Sequence, residues 1–494
     1  VGIEINRTRF SGDDHARFAS RLQDNLDALY RLLADPAFGR GPRSLGAELE
    51  MYIVDGAGKP LYANEEILEE AGDPQLTLEL NRYNLEYNLS PVGLGQSPFT
   101  STETEILGKL ARLREVAAGH GGRIVPIGIL PTLRQADFGS HCITGRKRYH
   151  ALVSQLIRRR GDRFRIDING ADPLKLEMAD ITLEGANTSF QVHYRVDPAD
   201  YADAFNAIQL MTPLALAVGA NSPTLFGHRL WHETRVPLFK QSIDTRHPDR
   251  YGWNEPARVN FGQGWARRGA AELFREVACI YPALLPICAQ YSPQQELAGG
   301  ALVPSLAELR LHQSTVWLWN RPIYDDLAGG HLRIEMRALP AGPTAVDMVA
   351  NAALLIGLAE GIRPRINELL PALPFRIAEY NFYRAAQHGL GARLIWPGPD
   401  QPCYREESVI AILQQMLPVA REGLTAIGIS AAESERYLGI IEQRLQRNRS
   451  GAIWQLEVLK KLEEKMPRDE ALHEMLERFV EHSVANIPVA EWQL

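Results

Sequence analysis

Two glutamates stand two residues apart in the stretch GAELEMYIVD, residues 46–55. Read as a strand, it sends Ala47, Leu49, Met51 and Ile53 to one face and Gly46, Glu48, Glu50 and Tyr52 to the other. Like charges so placed repel, so water, an arginine or a metal ion must compensate them. Other segments repeat the pattern. TSFQVHYRV (188–196) sets Ser189, Gln191, His193 and Arg195 against Phe190, Val192, Tyr194 and Val196. HLRIEMRAL (331–339) sets His331, Arg333, Glu335 and Arg337 against Leu332, Ile334, Met336 and Ala338. LEYNLS (85–90) aligns Glu86, Asn88 and Ser90, and LTLEL (76–80) opposes Glu79 to three leucines.

A solvated face is the ordinary fate of an alternating strand. Here the polar positions are mostly Glu, Arg and His, with few of the Thr, Ser and Lys of exposed strands. Glu48, Glu50, Glu79, Glu86 and Glu335 can converge only if positive charge sits among them. Five carboxylates and the imidazole of His193 suit hard divalent cations, Mg²⁺ or Mn²⁺, rather than structural zinc. Mg²⁺ typically shares a few carboxylates with substrate phosphates. Arg337, on the face of Glu335, offers a planar donor fork for phosphate. The set suggests nucleoside triphosphate chemistry. Competing motifs are missing: there is no G-x-x-x-x-G-K-[ST], no H-E-x-x-H and no G-x-S-x-G. GLG at 93–95 and GLGAR at 389–393 lack the third glycine of a dinucleotide fingerprint.

Helices must position these strands. Residues 12–34 carry apolar positions at helical spacing, closed by Pro36 and Gly39. The spacing predicts a helix opening at Thr102, with Glu105 completing a capping box, and ending at 119–122. It also predicts a basic helix at 147–160, a helix at 201–218 stopping at ANSP, another at 305–319, and a long apolar helix from Pro343–Thr344 to about Gly361. Strict alternation favours an antiparallel sheet with one face on a core. After the turn-rich WPGPDQP the texture becomes helical to the end, with no strand signal. This places a boundary near 400, between a domain at 1–400 and a helical region at 401–494 packed on it.

Bulk properties narrow the field. A chain of 494 residues with 45% hydrophobic and 23% charged residues is an ordinary globular balance. A net charge of −7 without Lys/Arg-rich runs gives no support for nucleic acid or membrane partners. Four dispersed cysteines, without a Cys-x-x-Cys pair, indicate neither a zinc ribbon nor a disulfide framework. VGIEINRTRF is too polar for a signal peptide. The longest apolar run, Met348 to Ala359, falls short of the ~20 residues that span a bilayer. A cytoplasmic location is expected.

At these residues the sequence resembles the glutamate–cysteine ligase family, of the bacterial carboxylate–amine ligase type. The family's stretches follow in order: Gly46-Ala-Glu48-Leu-Glu50; Glu79 ahead of Leu85-Glu86-Tyr-Asn-Leu-Ser90-Pro91; Gln191-Val-His193-Tyr; Asn221-Ser222-Pro223 with Arg235 downstream; Glu335-Met-Arg337; and NFYRAAQHGL at 381–390. The resemblance covers roughly residues 40–395. Ser90 stands where the family often has Thr. Phe382–Tyr383 and Gln387 replace the Trp and the second Arg of the N-x-W-R-A-x-R-x-G-L segment.

The resemblance implies an α+β fold like the glutamine synthetase catalytic domain, an antiparallel sheet curved into a funnel and wrapped by helices. It implies an ATP-dependent ligase that joins the γ-carboxylate of glutamate to cysteine or another amine through an acyl phosphate, as in glutathione biosynthesis. One Mg²⁺ or Mn²⁺ would sit among Glu50, Glu79 and Glu86, and a second among Glu48, His193 and Glu335. Arg337 would steady phosphate, and Arg235 would grip a substrate carboxylate or the transferred phosphoryl group. Asn187, Arg148 and Tyr149 would line the amine pocket. Partners would be small molecules, with room for a homo-oligomer. Two other readings stand beside it: a non-catalytic nucleotide or amino-acid sensor of the same fold, and another metal-dependent enzyme such as a two-metal hydrolase.

Overall fold

The computed structural model describes residues 7–247, 255–397 and 404–494. Its centre is an eight-stranded antiparallel sheet: β1 (Ser44–Val54), β2 (Leu76–Leu78), β3 (Asn84–Asn88), β4 (Val92–Gly93), β5 (Arg123–Val125), β6 (Phe190–Arg195), β7 (Asn320–Asp325) and β8 (His331–Met336). The order is β7-β8-β6-β1-β3-β2, with β4 and β5 also paired to β1. The sheet is curled into a half-barrel. Alternation along β1 buries Leu45, Ala47, Leu49 and Met51 and leaves Glu48 and Glu50 half-buried on the opposite face.

Helices wrap the sheet: α1 (Gly12–Ala34), α2 (Pro98–Gly119), α3 (Lys147–Arg160), α4 (Tyr201–Gly219), α5 (Ala307–Gln313), α6 (Ala345–Ile362) and α7 (Phe375–His388). Thr344 caps α6 by accepting from the Asp347 amide at 3.1 Å. The helical stretch Ala345–Ala372 is long and apolar enough to cross a bilayer, yet most of it is buried within the protein. Buried hydrogen bonds tie helices to sheet: Asn320 donates to Gln209 of α4 at 2.6 Å, and Tyr194 to Glu360 of α6 at 2.9 Å.

The C-terminal helices α8 (Val409–Ala426) and α9 (Ala431–Arg447) pack on α6. α6 and α8 cross at glycines; a Cβ on Gly423 would lie 2.1 Å from the Gly357 carbonyl oxygen. Arg444 of α9, fully buried, pairs with Asp347 at 2.5 Å and donates to Asn351 at 2.6 Å. Further on, Gln455 donates to the Asn221 side chain at 2.9 Å, tying the C-terminal region to the Asn-Ser-Pro segment.

Several expected boundaries move. α2 starts at Pro98 rather than Thr102, because proline's fixed φ suits the first helical position. Glu105 makes no capping box and instead accepts from the Ser90 amide and hydroxyl at 3.1 and 2.9 Å. The 305–319 helix shrinks to α5, after which Trp317–Leu318 forms a short parallel strand with Val259–Asn260. LTLEL is strand only to Leu78, and LEYNLS only to Asn88. A strand at Tyr404–Ser408, which carries no sequence signal, pairs with Arg393–Pro397. The boundary near 400 and Cys403 fall outside the described residues, as do residues 1–6 of the polar N-terminus. The other three cysteines are free.

Candidate metal and phosphate site

Register brings the polar positions into rows across the sheet. Glu50 faces Glu86 between β1 and β3, Glu48 faces Gln191 between β1 and β6, and Glu335 of β8 lies between His193 and Arg321. Glu79, just past β2, joins from the turn. Two three-residue groups result, Glu50/Glu79/Glu86 and Glu48/His193/Glu335; within each group the candidate ligand atoms lie within 4.8 Å of one another.

The groups differ in electrostatics. Among the described residues, no Lys, Arg or His forms an ion pair with Glu50, Glu79 or Glu86. Burial pushes Glu50 up to about 7, with Arg337 opposing and Glu184 adding to the shift. Glu86 rises to about 7 through burial and the charges of Glu48 and Glu50. Glu79 rises well above the usual range through burial and then Glu86, Glu50 and Glu184. Like charges directly opposite in a sheet destabilise it. Their partners are neutral: Ser189 donates to Glu50 from its amide at 2.6 Å and its hydroxyl at 3.0 Å, Gln191 donates to Glu50 at 2.8 Å, and Asn88 donates to Glu86 at 2.9 Å. An all-carboxylate oxygen set without its own counter-charge fits a hard divalent cation.

The second group is compensated from within. Arg321 grips both oxygens of Glu335, and Arg337 adds a bond at 3.0 Å. Burial works to raise Glu335, but the Arg321 and Arg337 charges outweigh it and hold the carboxyl far below its usual range. Glu48 is likewise opposed by burial and drawn down by His193 at 3.0 Å. Arg333 donates to His193 Nδ1 at 3.0 Å, so Nε2 carries the proton shared with Glu48. A cation here would have to displace that proton and loosen Arg321.

Arg337 sits between the groups. Its Nη1 donates to Gln191 and Glu335, while Nε and Nη2 have no hydrogen-bond partner among the described residues. Arg148 and Tyr149 meet the first group's edge: both line a cavity with Glu79, and Tyr149 donates to the Leu78 carbonyl at 2.5 Å. Two residues stand apart. Arg235 is almost fully buried, its Nε on Glu233 at 2.8 Å and its Nη2 on the Ala338 carbonyl at 2.7 Å, and no bond links it to either group. Asn187 donates to the Leu183 and Glu184 carbonyls, ending a one-turn helix at Thr182–Ala186. In the segment 381–390, Asn381 exchanges two hydrogen bonds with the Ile395 backbone and Phe382 packs 4.6 Å from Phe261, so these two residues support the core.

Sequence reasoning missed Arg321 and Glu184. Arg321 lies on β7, whose alternation (Asn320, Pro322 and Tyr324 buried) is readable but interrupted by a proline. Glu184 sits in the one-turn helix at Thr182–Ala186, too short for a periodicity to flag it.

The polar face of the sheet thus gathers six metal-ligand candidates around an arginine. The chain belongs to Glutamate-cysteine ligase family 2, which it matches over residues 44–482. The match runs past the 395 limit of the sequence resemblance and into the helical C-terminal region. No curated protein sequence matches the chain. Among solved structures, glutamate–cysteine ligase of Francisella tularensis, in complex with AMP, is similar at a TM-score of 0.51 and 12% identity, covering 91% of this chain and 90% of that one. A bifunctional glutathione synthetase from Pasteurella multocida aligns at 0.48 and 10% identity, over 95% of this chain and 55% of that one. The ligase PafA, in complex with the ubiquitin-like protein Pup, aligns at 0.39 and 11% identity, over 90% and 72%.

Proposed function

We propose that the protein activates the γ-carboxylate of glutamate with ATP and transfers the acyl group to an amine. The observation behind this reading is the meeting of six donors, from four strands and one turn, in two groups beside Arg337. A carboxylate is a poor acyl donor until one oxygen becomes a good leaving group. Its oxygen attacks the ATP γ-phosphorus, and the bond to the ADP oxygen breaks. The acyl phosphate is then attacked at carbon by the neutral amine, phosphate leaves, and an amide remains.

Glu50, Glu79 and Glu86 would hold one Mg²⁺ or Mn²⁺, and Glu48, His193 and Glu335 a second once Arg321 yields. Bound there, the ions would neutralise phosphate charge and hold attacker and phosphorus in line. Gln191 holds Glu50 and Arg337 together, fixing the distance between donor group and guanidinium. The free Nε and Nη2 of Arg337 are available to the transferring phosphoryl oxygens. Arg235 retains one free nitrogen, Nη1, and supports the end of β8 through Ala338, so its influence on substrate runs through that strand.

The test is phosphate release from ATP, Mg²⁺, glutamate and an amine panel, with mass spectrometry of the products. Glu50→Gln and Glu335→Gln should each lower turnover by at least ~10²-fold, on the scale of removing one charge-stabilising group. Unchanged turnover in both variants would remove the assignment. Nucleotide binding without turnover would favour the sensor, and metal-dependent turnover without ATP would favour a hydrolase.

A further inference from the structure

The cavity at the edge of the first donor group has a volume of about 180 Å³. Glu79, Glu184 and Arg148 line it together with an apolar wall that includes Leu152, Leu156, Ile243, Leu311 and Trp317. The Glu184 carboxylate accepts no hydrogen bond and forms no ion pair among the described residues, and burial pushes it up to about 7. Arg148 lies with its guanidinium 4.5 Å over the Tyr149 ring and spends Nη2 on the Tyr149 hydroxyl at 2.6 Å; its other nitrogens are uncommitted.

We propose that this cavity receives the amine substrate and that the amine is an apolar α-amino acid of leucine to phenylalanine size. The proposal rests on the ligase reading and extends it to the substrate class. Because Glu79 belongs to both cavity and donor group, a molecule seated in the cavity has one end beside the activated carboxyl. Glutamate does not suit it: Glu184 and Arg148 both lie within charge reach of Glu79, at the donor-group end, so the ammonium and carboxylate at the far end of that molecule would face leucine and isoleucine walls. An apolar amino acid uses every wall. Its ammonium faces Glu184, its carboxylate meets Arg148, and its side chain fills the apolar part. A cavity of about 150 Å³ lined only by Leu, Ile and Phe holds a benzene ring; the apolar end of this cavity takes a large apolar side chain, and the CH₂SH of cysteine would underfill it.

The test uses the full chain with ATP, Mg²⁺ and glutamate, and measures kcat/KM for phenylalanine, leucine, cysteine, glycine and phenethylamine by γ-glutamyl product formation. Phenylalanine or leucine should exceed cysteine and glycine by at least ~10-fold, the lower end of what one buried methylene discriminates, and phenethylamine should fall below phenylalanine. Cysteine or glycine used as well as the apolar amino acids overturns the proposal. Phenethylamine used as well as phenylalanine overturns the amino-acid class. No amine-dependent phosphate release at all removes the ligase reading itself, a distinct result. Ser314, exposed at the cavity rim, offers a variant that spares the core. Ser314→Trp should lower the phenylalanine-to-glycine ratio of kcat/KM by ~10-fold. An unchanged ratio in a variant with a wild-type melting curve overturns the seating.

Discussion

Glu86→Gln isolates the cost of crowding carboxylates on one sheet face. Glu86 moves from its usual 4.5 to about 7 through burial and the charges of Glu48 and Glu50. A raised carboxyl keeps its proton in the folded state where the unfolded chain has released it. Its stabilisation is therefore complete below pH 4.5 and is lost as pH rises through 7. Between pH 5 and 8 the metal-free wild type should lose about 2–3 kcal/mol from this residue. Glutamine titrates nowhere in that range. The stability of the variant relative to wild type should thus rise by the same amount, about 2–3 °C in Tm for a chain of this length. The comparison must be made as a difference, because His232 and His312, pushed down to about 4 by burial, carry the opposite slope in both proteins. Removing Glu86 also relieves Glu79, which enlarges the difference. The assay is thermal and denaturant melting in EDTA at pH 5 and pH 8. A variant whose offset from wild type is the same at both pH values would refute the crowding argument.

Mg²⁺ with ATP should raise the wild-type Tm by mass action, more at pH 8 than at pH 5, because protonated carboxylates do not bind the ion; scanning calorimetry with a chelator control reads it. Arg337→Ala should lower kcat by ~10²–10³-fold in steady-state kinetics, since two guanidinium nitrogens are free for phosphate and the other holds Gln191. Asp347→Ala should cost about 3–5 kcal/mol in a denaturant titration, because it leaves the fully buried Arg444 without its ion-pair partner.

The sheet was legible because its strands alternate, and alternation is what one buried face imposes. Five of the six donors were legible for the same reason: Glu48, Glu50, Glu86, His193 and Glu335 each sit on the polar side of an alternating run, while their grouping in threes came from the family resemblance. Their partition into one uncompensated group and one arginine-bound group was not legible. It depends on Arg321, which reaches Glu335 only through the pairing of β7 with β8. Short elements held by distant partners were also hidden, such as the strand at Tyr404–Ser408 and the turn carrying Glu184. Arg235 was expected to grip substrate because the family resemblance sets an arginine downstream of the Asn-Ser-Pro segment. Nothing in its local sequence announced that Glu233, two residues away, and Ala338 would claim it.

Glu48 and Glu50 share β1 with Leu49 and Met51, which are buried in the core, so the candidate ion site and the hydrophobic interior are opposite sides of one ladder. A residue inserted or deleted between Gly46 and Glu48 would turn both acids inward and both apolar side chains outward at a stroke. Chemistry and folding are fastened to the same count of residues along this strand.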